Sequence, residues 1–121
     1  MSVLKKDEIL NCNDLVTEIV SVPEWNGEVI VRCLTGEERD ELESLVVQEK
    51  SEGDRKVDLS NFRARLIALS AIDEKGDRLF TIEDVIKLSK KSAKALDRVF
   101  NVAERLSALR NQDGEKAIKN S

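Results

Sequence analysis

Residues 59–72, LSNFRARLIALSAI, decide how the rest of the chain must be arranged. On a helical wheel Phe62, Leu66 and Leu69 form one stripe, while Ala64, Ile67, Ala68 and Ala71 cover most of the remaining circumference. No charge follows Arg65 until Asp73. A helix apolar nearly all round is buried on more than one side. Leu59–Ile72 is therefore expected to be the core helix, with the amphipathic segments on either side packed around it.

Toward the N-terminus the period changes from helical to alternating. Val16–Val22 sets Val16, Val20 and Val22 against Leu15 and Ile19, and Glu28–Leu34 sets Val29, Val31 and Cys33 against Ile30 and Arg32. Runs of period two rich in β-branched residues read as strands. Asn26-Gly27 between them is a tight-turn signal because both residues tolerate positive φ. Pro23, which cannot donate to a ladder, marks a strand end. A β-hairpin is predicted, with Trp25 near its tip. There Trp25 has two readings: folded back over the hairpin's apolar face, or an anchor for a partner, since Trp is enriched at interface hot spots.

Thr35-Gly36-Glu37-Glu38 matches a capping box opening a helix that runs to about Lys50, with a narrow stripe of Leu42, Leu45 and Val46. Ser51–Asp58, SEGDRKVD, is expected to be a mobile polar loop before the core helix. After that helix, DEKGDR (Asp73–Arg78) is a turn. Thr81 and Asp84 then open a short helix over Ile82–Ser89, with Phe80 able to staple onto Val85. Ser92 caps a last helix striped by Leu96, Val99, Phe100, Ala103 and Leu106, with Lys94, Arg98 and Arg105 opposite. The expected architecture is α+β: an N-terminal β-hairpin followed by a mainly helical part of about four helices. Residues 1–14 form a polar N-terminal arm, 15–109 a single domain and 110–121 a flexible C-terminal tail.

Composition narrows the function. A chain of 121 residues makes one domain that buries roughly two-thirds of its unfolded surface. Aromatics are only 3%, so the core must be aliphatic. There is no apolar run of about 18 residues to span a membrane, and MSVLKKDEIL is too short and too charged for a signal peptide. Cys12 and Cys33, without a CxxC pattern, allow one disulfide, but without a secretion signal the favoured reading is two reduced thiols in a cytosolic compartment. The absence of His removes both a common metal ligand and the usual general base for Ser or Cys chemistry. No GxGxxG, Walker or GxSxG motif is present, and no metal or cofactor is expected.

Residues 1–86 carry 11 Lys/Arg against 20 Asp/Glu, a net −9, and residues 87–121 carry 9 against 4, a net +5. Such a division favours docking on charged protein surfaces or head-to-tail self-association; the plainer reading is two solvated faces of unlike sign. Lys87, Lys90, Lys91 and Lys94 cluster at the last interhelical junction. In an acidic chain without interleaved aromatics they do not make a nucleic-acid reader. Asp73–Asp84 imitates a calcium loop, but Lys75 stands at its third position and Arg78 where glycine makes the sharp turn.

Two phrases carry a family resemblance. VPEWNGEVIVRCLTGEERDELE runs from a hairpin through an L-T-G-E-E-R step into a helix, and ALSAIDEKGDRLFTIEDVIKLSKKSAKALDRVFNVAERLSAL gives the core helix, its turn and the last two helices. Together, over roughly residues 18–109, they resemble the tail assembly chaperones of long-tailed bacteriophages. The resemblance implies a non-catalytic protein of the bacterial host's cytoplasm that binds the tape measure protein, and tail tube subunits as a further partner, before the tube polymerises. It also leaves room for a homo-oligomer. Trp25, Lys90, Lys91, Lys94 and Arg98 are the expected partner-binding residues. The alternatives are a head–tail connector or other structural morphogenesis protein and, more remotely, a small metal-binding regulator or enzyme.

Overall fold

Two strands that alternate in burial open the folded part of the chain. The computed structural model describes residues 2–49, 55–57 and 61–108. Strand β1 (Thr17–Val22) pairs antiparallel with β2 (Gly27–Arg32), from Thr17 opposite Arg32 to Val22 opposite Gly27. Val20, Val22 and Val31 are buried, while Ile19, on the other face, is 61% exposed. Val16, expected to share the inner face, precedes the strand and is exposed.

The connection differs from the predicted Asn-Gly turn. Four residues, Pro23 to Asn26, separate the paired positions. Pro23–Trp25 form a 3-10 turn closed by the Asn26 N–H donating to the Pro23 carbonyl at 3.0 Å. Proline suits the first position of such a turn because its φ is preset and no N–H is lost there. Asn26 alone takes positive φ, 56°, and Gly27 begins β2.

The core helix is shorter than its apolar run. Helix α3 spans Phe62–Ser70, and Ala71–Ile72 leave it to form β5, antiparallel to β2, giving the sheet order β1-β2-β5. A helix continued to Ile72 would leave the second edge of β2 unpaired beside the core, and buried backbone groups require partners. The turn after β5 fixes the break. The Asp73 carboxylate accepts from the Lys75 and Asp77 N–H groups at 2.8 and 3.0 Å, and Gly76 supplies φ of 92°. The Leu79 N–H then donates to the Ala71 carbonyl at 3.0 Å.

Helix α2 (Gly36–Val46) stops short of the expected Lys50. Val47–Glu49 form β3, paired antiparallel with β4 (Arg55–Val57). Part of the segment expected to be a loop is therefore a strand; β-branched Val47 and Val57, which are partners in register, favour extended backbone. The remainder of Ser51–Asp58 lies outside the described residues, as does the expected tail 110–121. The predicted Ile82–Ser89 helix begins as a 3-10 turn, Ile82–Asp84, and continues as α4 (Val85–Ser89). Helix α5 spans Ala93–Leu106, and the Ser92 hydroxyl accepts from the Ala95 N–H at 3.2 Å.

Among the described residues four helices, α2 to α5, thus follow the hairpin. A fifth, α1 (Lys6–Leu10), lies in the arm, where Val3, Leu4, Ile9 and Leu10 are exposed. Helices α3 and α5 pack on each other, and α5 also packs on β1 and β2. Between them lie Val22, Val31, Leu66, Ile67, Leu69 and Val99, each under 2% exposed. Each such burial is worth about 1.5–3 kcal/mol, and the stripe of α5 is spent on this core.

Candidate partner-binding surface

The hairpin tip is held against α5. Trp25 is half-buried and packs on the core. Beside it Glu24 accepts from Arg98 Nε and Nη2 at 2.8 and 3.1 Å. That paired hydrogen bond holds the Glu24 carboxyl below its usual range, with Lys94 adding a smaller positive field. About two helical turns further along, Arg105 donates to both oxygens of Glu18 on β1 at 2.8 and 2.7 Å. The acidic front and basic rear of the chain therefore meet inside the molecule, a use of the charge division that neither docking nor solvation anticipates.

Of the five residues expected to bind a partner, Trp25, Lys94 and Arg98 are brought together at this tip, where Trp25 and Arg98 already have intramolecular partners. Lys90 and Lys91 lie apart, exposed at the corner between α4 and α5. Lys91 borders a groove of about 410 Å³ also lined by Asn61, Phe62, Arg63, Leu96 and Phe100. Phe62 and Phe100 meet edge to face with centroids 5.9 Å apart. Arg63 lies 5.6 Å over the Phe100 ring and pairs with Asp97 at 2.7 Å.

Two features escape the sequence reading. The first is the full role of Glu38. Its capping-box contacts are present, with the Thr35 N–H donating to Glu38 Oε1 at 3.0 Å and the Glu38 N–H to Thr35 Oγ1 at 3.1 Å. The same carboxylate also receives Arg32 Nη2 on both oxygens, at 2.8 and 2.9 Å, and Arg78 Nε and Nη2 at 3.1 and 2.7 Å. Burial, with the side chain 8% exposed, pushes this carboxyl upward. The Thr35 N–H and the two guanidiniums outweigh that and hold it below its usual range. No local pattern links Arg32 and Arg78 to Glu38, because the three meet only through the sheet. Among the described residues no group of three or more His, Cys, Asp and Glu could hold a metal ion.

The second is an apolar stripe left on the outside of α4 and its lead-in. Leu79, Ile82 and Ile86 are 47, 49 and 63% exposed, whereas Phe80, Val85 and Leu88 on the other side pack into or against the core. Both sides of this segment are apolar in sequence, so nothing local tells which one the core will take.

A family profile described as phage tail assembly chaperone matches residues 9–119, nearly the whole chain. The chain belongs to that family. The comparisons with curated proteins and with solved structures find no match. In this tail assembly chaperone no described helix is long and apolar enough to cross a membrane.

Proposed function

We propose that this chaperone binds the tape measure protein, and later tail tube subunits, in the cytoplasm of the bacterial host, without catalysing a reaction. The observation that carries the reading is the family match over residues 9–119. The fold is consistent with it: among the described residues ten large apolar side chains stand exposed, five of them on helices or strands, Ile9, Leu10, Ile19, Ile82 and Ile86. Apolar surface of this kind is what a long partner with an apolar face requires before its own assembly. In this reading residues 15–109 act as one unit, with the arm 1–14 and tail 110–121 appended. Lys90, Lys91 and Lys94 make partner contacts, and Trp25 and Arg98 hold the hairpin tip in position beside Lys94.

Co-expression with the tape measure protein, followed by affinity capture and light scattering, tests the reading. A soluble, stoichiometric complex is expected, and light scattering also reports whether the chaperone enters it as an oligomer. If the tape measure protein stays insoluble while this chain elutes alone, the reading fails, and binding to purified connector or portal subunits becomes the next measurement.

A further inference from the structure

We propose that the outer face of α4 and its 3-10 lead-in docks an acidic amphipathic helix of the partner protein. The inference deepens the function proposed above and rests on it. Three observations carry it.

First, Ile82 on the 3-10 lead-in and Ile86 on α4 stand about half or more exposed, with Leu79 47% exposed in the bend just before them. Ile82, Ile86 and Lys90 follow at four-residue spacing and so lie along one side. An apolar ridge ending in a cation is the complement of a helix whose own stripe ends in carboxylates.

Second, the cations there have no ion-pair partner among the described residues. Lys87, Lys90 and Lys91 are all exposed, and none of them pairs with a described carboxylate. The arginines Arg32, Arg39, Arg63, Arg78, Arg98 and Arg105, by contrast, each hold a carboxylate. The basic rear of the chain is thus partly neutralised at the hairpin and, among the described residues, left without a carboxylate partner at the α4–α5 corner. A docking carboxylate there displaces no existing partner.

Third, the backbone of α4 is closed by its own helical hydrogen bonds and offers no strand edge. An extended peptide would gain no main-chain pairing on it, whereas a helix needs only side-chain knobs. A second copy fits less well. Its α1, KDEIL, preceded by Lys5, carries two lysines against two carboxylates and is charge-balanced, and its own α4 face would bring the same exposed lysines together.

The test uses the full chain in three forms: wild type, Ile82→Ser/Ile86→Ser and Lys87→Glu/Lys90→Glu, with circular dichroism melts to show that the exposed substitutions leave the fold intact. Each is co-expressed with the tape measure protein. Each is also titrated with two labelled synthetic helices of equal apolar stripe, one flanked by Glu and one by Lys. Both variants are expected to capture less tape measure protein. The apolar variant should bind the Glu-flanked helix about tenfold more weakly, and charge reversal should switch preference to the Lys-flanked helix. Wild-type levels of capture by both variants overturn the assignment of this face while leaving the proposed function standing. Failure of wild type to capture the tape measure protein removes both. Concentration-dependent self-association abolished by Ile82→Ser/Ile86→Ser makes a second copy the occupant and overturns the acidic partner.

Discussion

Replacing Glu38 by Ala is expected to cost more than any surface substitution in this chaperone. The carboxylate is 8% exposed and serves two guanidiniums and one backbone N–H. Its removal strands Arg32, itself only 16% exposed. Breaking a buried ion pair by deleting one partner costs about 3–5 kcal/mol. Arg78 is 40% exposed and can be rehydrated, which places the value toward the lower end of that range. The hydrogen bond lost from the Thr35 N–H adds about 1 kcal/mol, while the Thr35 hydroxyl still caps the helix at the backbone N–H of position 38. About 4 kcal/mol is a large share of a typical stability of about 5–15 kcal/mol. The assay is urea unfolding at pH 7 followed by circular dichroism, with Arg32→Ala and Arg78→Ala beside it. The expected order of loss is Glu38, then Arg32, then Arg78. A loss below about 1 kcal/mol for Glu38→Ala would mean that the triad behaves as a solvated surface cluster and would refute the reasoning. The same group sets a pH dependence. Its carboxyl is lowered in the folded state, so its contribution is complete above the unfolded value of about 4.3. That contribution is lost as pH falls through the lower folded value. Glu38→Gln should accordingly flatten the acid limb of stability below about pH 4.

Ser70 has a fully buried hydroxyl with no hydrogen-bond partner among the described residues, so Ser70→Ala should leave stability unchanged or raise it by up to about 1 kcal/mol; a clear loss in the same urea assay would show that the hydroxyl is satisfied in solution. Leu66, 0% exposed at the centre of α3, should lose about 2–5 kcal/mol as Leu66→Ala, read as a lowered midpoint at unchanged slope. Gly76→Ala meets no atom within 4 Å but must hold φ of 92°, so it should cost about 1 kcal/mol through backbone strain alone. No measurable change would mean that the turn relaxes.

Much of the fold is legible in the sequence because its signals are local. The capping box of Thr35 and Glu38, the Ser92 cap and the inward alternation of Val20, Val22 and Val31 depend on neighbours a few residues apart, and each stands as expected. The apolar circumference of 62–70 determines by itself that α3 is the core helix. The family is legible too, because its phrases are these same packing and capping patterns. What the sequence could not decide depends on the other side of a contact. Ala71 and Ile72 continue an apolar helix in sequence, yet they become a strand because β2 has an edge to fill. Val47–Glu49 leave their helix for a strand partner beyond it. Glu38 looks like a cap and becomes an ion-pair hub only when the sheet brings Arg32 and Arg78 to it. The segment from Leu79 to Leu88 offers two apolar sides, and the core takes Val85 and Leu88 while leaving Ile82 and Ile86 in water. A sequence specifies which surfaces are apolar and which residues are charged. Which of them are consumed in folding and which remain for a partner is settled by packing, because burial belongs to pairs of surfaces and not to either one alone.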